Sequence, residues 1–146
     1  MKRFNFRLEK LLSLREFHEH KAEIDLARAI SYLDAINIKL KNIAELLVQT
    51  SCKFTSSENI LDINDLHTIQ NYIIRLNEEK DRLLNQAVEA QLVIDEKRKI
   101  YIDAASKRKV ISKLKEKKID EWKKQNNKSE DNFIDDIITF KTAVMG

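Results

Sequence analysis

Leu26, Ala29, Leu33, Ile36, Leu40, Ile43 and Leu47 follow one another at alternating spacings of three and four residues. That alternation holds one narrow apolar stripe on a single helix face, the seam of a coiled coil rather than the broad face of a helix in a thick core. Such a seam requires a partner helix. Little interrupts regular structure here: the only glycine is Gly146 and proline is absent, so helices can run for dozens of residues without an obligatory break. With 35% charged and 7% aromatic residues and no strand-type alternation, the chain is expected to be all-α.

A first helix is predicted from near Asn5, a candidate N-cap, to about residue 51, roughly 70 Å long. Its early apolar residues Leu8, Leu11, Leu12, Leu14 and Phe17 make a broader face, and the heptad pattern is interrupted at Arg15 and Glu19 before Ala22 and Leu26 restore it. The polar run Thr50, Ser51, Lys53, Thr55, Ser56, Ser57, Glu58 and Asn59 marks a turn, placed at about residues 52–63. Ile60, Leu61 and Ile63 are expected to fold over that end. Asp62 or Asn64 can cap the next helix, with Asp65 in its first turn.

From Leu66 the stripe resumes through Ile69, Ile73, Leu76, Lys80, Leu83, Ala87, Ala90, Ile94, Lys97, Tyr101, Ala104, Arg108 and Ile111. A second helix over about residues 64–124 would therefore pair antiparallel with the first. With the break near residue 57, facing position numbers should sum to roughly 115, setting Leu47 near Leu66 or Ile69 and Leu8 near Arg108. The expected fold is a single coiled-coil domain across the chain, a long two-helix antiparallel hairpin whose C-terminal helix protrudes. Gln125, Asn126, Asn127 and Lys128 can loosen the helix ahead of a terminal helical segment at about residues 130–144, capped by Ser129, Glu130, Asp131 and Asn132, which is too short to be stable alone and so either continues the second helix or orders when bound.

The net charge of +3 conceals segregation: residues 1–15 carry +4, 16–96 carry −7, 97–128 carry +9 and 129–146 carry −3. An antiparallel hairpin brings the first and third blocks together at its open end. Such self-repulsion costs stability and suits an acidic partner.

No catalytic pattern emerges. One terminal glycine cannot form a phosphate-cradling loop. His18 and His20 are two apart, on different sides of a helix, and Cys52 is the only cysteine, so neither a metal cluster nor an internal disulfide is expected. The expectation is a non-enzyme without cofactor or metal. No uncharged apolar run suits a secretory signal or membrane span, which points to a cytoplasmic protein without membrane insertion. Tyr101 and Trp122 within a basic helix could stack on bases, but the basic residues are interleaved with the seam and the middle of the chain is acidic, so nucleic acid is not the expected partner. Leu84, Val88 and Leu92 form a second apolar stripe, suited to docking another protein.

Three segments carry a resemblance. Phe6-Arg7-Leu8-Glu9-Lys10-Leu11-Leu12-Ser13-Leu14-Arg15-Glu16, then Lys113-Leu114-Lys115-Glu116-Lys117-Lys118, then Asp135-Asp136-Ile137 with Phe140, resemble in order and spacing the landmarks of the FliJ family of flagellar export proteins. The resemblance implies a coiled-coil component of the flagellar type III export apparatus, cytoplasmic and peripheral at the inner face of the cell membrane. Its partners would be the ring of the export ATPase, FliI, the export gate protein FlhA, and export chaperones. It makes Arg7, Lys10, Arg15, Lys107, Arg108, Lys109, Lys113 and Lys117 candidates for acidic loops of the ring, with Phe133, Ile137 and Phe140 as apolar anchors. For the gate it implies Ile43, Leu46, Tyr72, Leu76 and Leu83, although Thr50 stands where an aromatic would be expected. A nucleic-acid-binding or purely structural coiled coil is the alternative.

Overall fold

The computed structural model describes residues 3–56 and 62–145. It contains two helices, α1 (Glu9–Ser56, 48 residues) and α2 (Ile63–Met145, 83 residues), and no strand among the described residues. The helices pack against each other as an all-α helical hairpin.

The helix ends follow local chemistry. α1 begins later than Asn5: the Leu12 amide donates to the Leu8 carbonyl at 2.9 Å, which makes Leu8 the capping position, and the Glu9 amide donates to Phe6 at 3.2 Å. Keeping residues 3–8 out of the helix lets Phe6 turn inward, where it is buried. α2 starts behind Asp62, whose carbonyl accepts from the Leu66 amide at 3.1 Å, while Asp65 adds negative charge to the first turn.

α1 runs through the segment expected to begin the turn. The Thr50 hydroxyl donates to the Leu46 carbonyl at 2.7 Å and the Thr55 hydroxyl to the Ser51 carbonyl at 3.1 Å. These hydroxyls are satisfied inside the helix and do not compete with its backbone bonds. Ser57, Glu58, Asn59, Ile60 and Leu61, assigned to the turn from sequence, lie outside the described residues. Ile63 opens α2 and is exposed. Of the two outcomes expected for the terminal segment, continuation of the second helix is the one seen: α2 runs through Gln125–Lys128 without a break to Met145. Without proline or glycine, those residues lower helix propensity by only about half a kcal/mol each. Thr139 and Thr142 again bond back, to the carbonyls of Asp135 and Ile138 at 2.8 and 3.0 Å.

Two compact units are distinguished, one of Met1–His20 with Ile102–Gly146 and one of Lys21–Tyr101. In the second, Ile36, Ile43, Leu83 and Ala90 form one buried cluster, with Leu33, Leu40, Leu47, Leu76 and Ala87 packed against it. Each large aliphatic side chain so buried contributes about 1.5–3 kcal/mol. Leu47 therefore belongs to the Leu76–Leu83 layers, and Phe54 instead shares a groove with Leu66, Ile69, Gln70 and Ile73. Lys80, expected on the stripe, is exposed, and Glu79 is half-buried in its place.

The first unit shows the same displacement. Arg108 meets Glu19, roughly three helical turns along from the expected Leu8. α1 runs to Ser56, past its expected end near residue 51, and the described facing pairs of both units are displaced in the same direction from those expected.

Candidate functional site

The unit built from both terminal segments gathers most of the charge the sequence singled out. Phe4 meets Trp122 edge to face, with ring centroids 6.0 Å apart and planes inclined at 62°. Phe6 and Leu12 are buried beside them in the sequence, and Ala105 is the buried residue contributed by α2. Around the aromatic pair a groove of about 710 Å3 is lined by Arg3, Phe4, Arg7, Lys118, Glu121 and Gln125, among others. Lys115 Nζ donates to the Glu9 carboxylate at 2.9 Å, a second cross-helix ion pair beside Arg108–Glu19.

The predicted basic residues sort into three groups. Arg7, Lys10, Lys109, Lys113 and Lys117 are exposed and make no ion pair among the described residues. Lys109, Lys113 and Lys117, spaced by four, lie one above another on α2. Like charges so stacked destabilise a helix by roughly 0.2–0.5 kcal/mol per pair, and the repulsion is relieved when an anionic surface covers them. Lys107 is exposed but paired with Asp103 on its own helix at 3.1 Å. Arg15 and Arg108 are half-buried and turn toward the seam, Arg108 onto Glu19, so neither belongs to the open basic face.

Past Asn126, every described residue of α2 is exposed. Phe133 and Phe140 stand 66% and 69% open to solvent, with Ile137 between them in the sequence at 40%. Spaced four and three apart, they share one face of the terminal helix, which has no intramolecular partner there. Acidic Glu130, Asp131, Asp135 and Asp136 flank them in sequence.

In the other unit the five gate candidates separate by burial. Ile43 and Leu83 are core residues, Leu83 only 2% exposed, and cannot meet another protein without opening the hairpin. Their heptad positions direct them into the seam. Leu76 is half-buried against the same cluster. Leu46 and Tyr72, 40% and 41% exposed, remain available, as do Leu84, Val88 and Leu92 of the second stripe. On α2, Arg82 donates to Glu79; this hydrogen bond holds the Glu79 carboxyl below the usual carboxylate range and raises the Arg82 guanidinium above its own.

Sequence inspection missed Glu9 and Glu19 as the acids that hold Lys115 and Arg108. The signal was present in the spacing: Leu12, Arg15, Glu19 and Ala22 continue the alternation of three and four back from Leu26. What resembled an interruption of the seam is the seam itself, carrying charged residues.

The profile of the flagellar FliJ protein family matches residues 4–143, from the aromatic pair to the exposed terminal helix. The chain belongs to the FliJ family. Membership makes this FliJ-family protein a component of flagellar protein export. No curated protein and no solved structure matches it. Among the described residues, no helix of this FliJ-family chain is long and apolar enough to cross a membrane, and no group of three or more His, Cys, Asp or Glu side chains is placed to hold a metal ion.

Proposed function

We propose that this chain is a non-catalytic part of the flagellar type III export apparatus that docks its basic open end on acidic loops of the export ATPase ring. In the same role it connects the ring to the export gate and to export chaperones. It works in the cytoplasm, peripherally at the inner face of the cell membrane. The observation that carries this reading is that Arg7, Lys10, Lys109, Lys113 and Lys117, all in the unit of the terminal segments, are exposed and without an ion pair among the described residues. Charge there accelerates encounter with an acidic surface, and Phe133, Ile137 and Phe140 add apolar area that prolongs contact.

Arg15 and Arg108 contribute to the same surface indirectly, by holding the seam beneath it. For the gate, Leu46 and Tyr72 are the contact residues, and Ile43, Leu76 and Leu83 support them from the core. Family membership supports the export role, and the surface chemistry supports the assignment of ends to partners.

The test is charge reversal. Arg7→Glu, Lys109→Glu and Lys113→Glu together should weaken ring binding on the order of 10- to 100-fold and abolish stimulation of the ATPase. Wild-type binding should weaken steeply with added salt, because exposed charges are screened over about 10 Å at 0.1 M. Unchanged binding and stimulation would sink the basic-face assignment. Binding of duplex or single-stranded nucleic acid at physiological salt, lost in the same variant, would favour the nucleic-acid alternative.

A further inference from the structure

The terminal unit places an ion pair across a seam that is mostly apolar elsewhere. Arg15 and Glu19 follow Leu12 along the α1 stripe, and Arg108 occupies the facing stripe of α2. The Glu19 side chain is 17% exposed and that of Arg108 28%, and Arg108 Nε donates to a Glu19 carboxylate oxygen across the helix pair. One turn before Glu19, Arg15 Nε is shielded from solvent without an acceptor. Among the described residues, this stretch of seam thus holds two guanidinium groups, of which Arg108 is the one ion-paired, to Glu19.

Such a layer is a poor way to gain stability. Desolvating both ions offsets their attraction, and well-packed apolar residues of similar volume commonly do as well or better. A charged pair does what a leucine layer cannot, which is to distinguish one register from the next. Leu and Ala layers repeat every seven residues, so a displacement of one heptad sets apolar against apolar again. Arg108 breaks that equivalence. A slip of seven residues either way sets its guanidinium against Leu12 or Leu26, both apolar seam positions, and removes Lys115 from Glu9.

We infer that the Glu19–Arg108 pair is the register key of the terminal segments, a device that gives up stability to fix how the first residues of the chain lie along α2. Arg15 sharpens the dependence on Glu19, because loss of that carboxylate leaves two cations in the seam without a counter-ion. The functional consequence rests on the docking reading above: a slip of one heptad moves Arg7 and Lys10 by about 10 Å relative to Lys109, Lys113 and Lys117, and so changes the spacing of the charges a partner would meet.

Cysteine cross-linking in a Cys52→Ser background tests the key in the full chain. The pair Glu9→Cys with Lys115→Cys reports the observed register, and Glu16→Cys with Lys115→Cys reports one displaced by a heptad. Adding Glu19→Leu and Arg108→Leu should leave thermal stability unchanged or raised, reduce the first cross-link several-fold and make the second appear. Adding the exchanged pair Glu19→Arg with Arg108→Glu instead should restore the first pattern. Glu19→Gln alone should lower stability, a loss that the double leucine variant does not share. An undiminished first cross-link with no second product in the leucine variant would overturn the inference, and so would an exchanged pair that folds without the native cross-link. If the register shifts while ATPase stimulation persists, the docking reading fails and the register key stands.

Discussion

The two units solve one packing problem with different chemistry. Lys21–Tyr101 closes around Ile36, Ile43, Leu83, Ala90 and Ile94, a seam of aliphatic side chains and small alanines. The unit of both terminal segments has Phe6, Leu12 and Ala105 buried and adds an aromatic pair and two cross-helix ion pairs, Arg108–Glu19 and Lys115–Glu9. Apolar layers supply free energy without distinguishing neighbouring registers, whereas charged layers do the reverse. The difference teaches that the middle of the chain is specialised for cohesion, and the end with the unpaired basic face for placement.

Cutting the cohesive unit should have the largest effect. Leu83→Ala is expected to cost about 2–5 kcal/mol, measured by chemical denaturation, because it opens a cavity in the buried cluster. Tyr72→Ala, on an exposed position of the same unit, should change stability by no more than about 0.5 kcal/mol. Comparable losses from the two would mean that this seam does not dominate cohesion.

Trp122→Ala should have an intermediate effect of about 1–2 kcal/mol, since Trp122 is half-buried and its pairing with Phe4 is worth about 0.5–1.5 kcal/mol. Hydrogen exchange is the sharper measurement. Amides of residues 9–20 should lose protection while those around Ile36 and Ile43 keep it. Equal loss in both places would erase the distinction between the units.

The smallest effect concerns the exposed pair on α2. The folded-state pKa of Glu79 is lowered by its bond to Arg82, so any stability it contributes is present above the unfolded pKa and is lost as pH falls through the folded one. With side chains 62% and 41% exposed, the Arg82–Glu79 pair is well screened, so Glu79→Gln should leave the thermal midpoint, and its dependence on pH between 3 and 5, almost unaltered. A clear change in acid sensitivity would show that polar contacts also matter for cohesion in the apolar unit.

Much of this was legible in the residues. The stripe from Leu26 to Leu47 implied a partner, the resumed stripe beyond Ile69 supplied it, and Asp62 was among the caps proposed. The end of α1 was not, because Ser and Thr signal turns on average yet bond back to helix carbonyls when the neighbouring turns are already helical. Among site residues, exposed Lys109, Lys113 and Lys117 could be expected from their four-residue spacing. The stripe positions of Arg15 and Arg108 were in the spacing too, but which acid meets Arg108 was not, because that depends on the register of the two helices.

By itself, the sequence determined helix, pairing and antiparallel sense, since a period near 3.5 without proline or internal glycine permits little else. Only the tertiary structure decided the register, and with it which cations are spent on Glu9 and Glu19 and which stay open to a partner. The physical reason is the repeat itself: a heptad stripe looks the same after each step of seven, so position along it is set by contacts that only the assembled helices reveal.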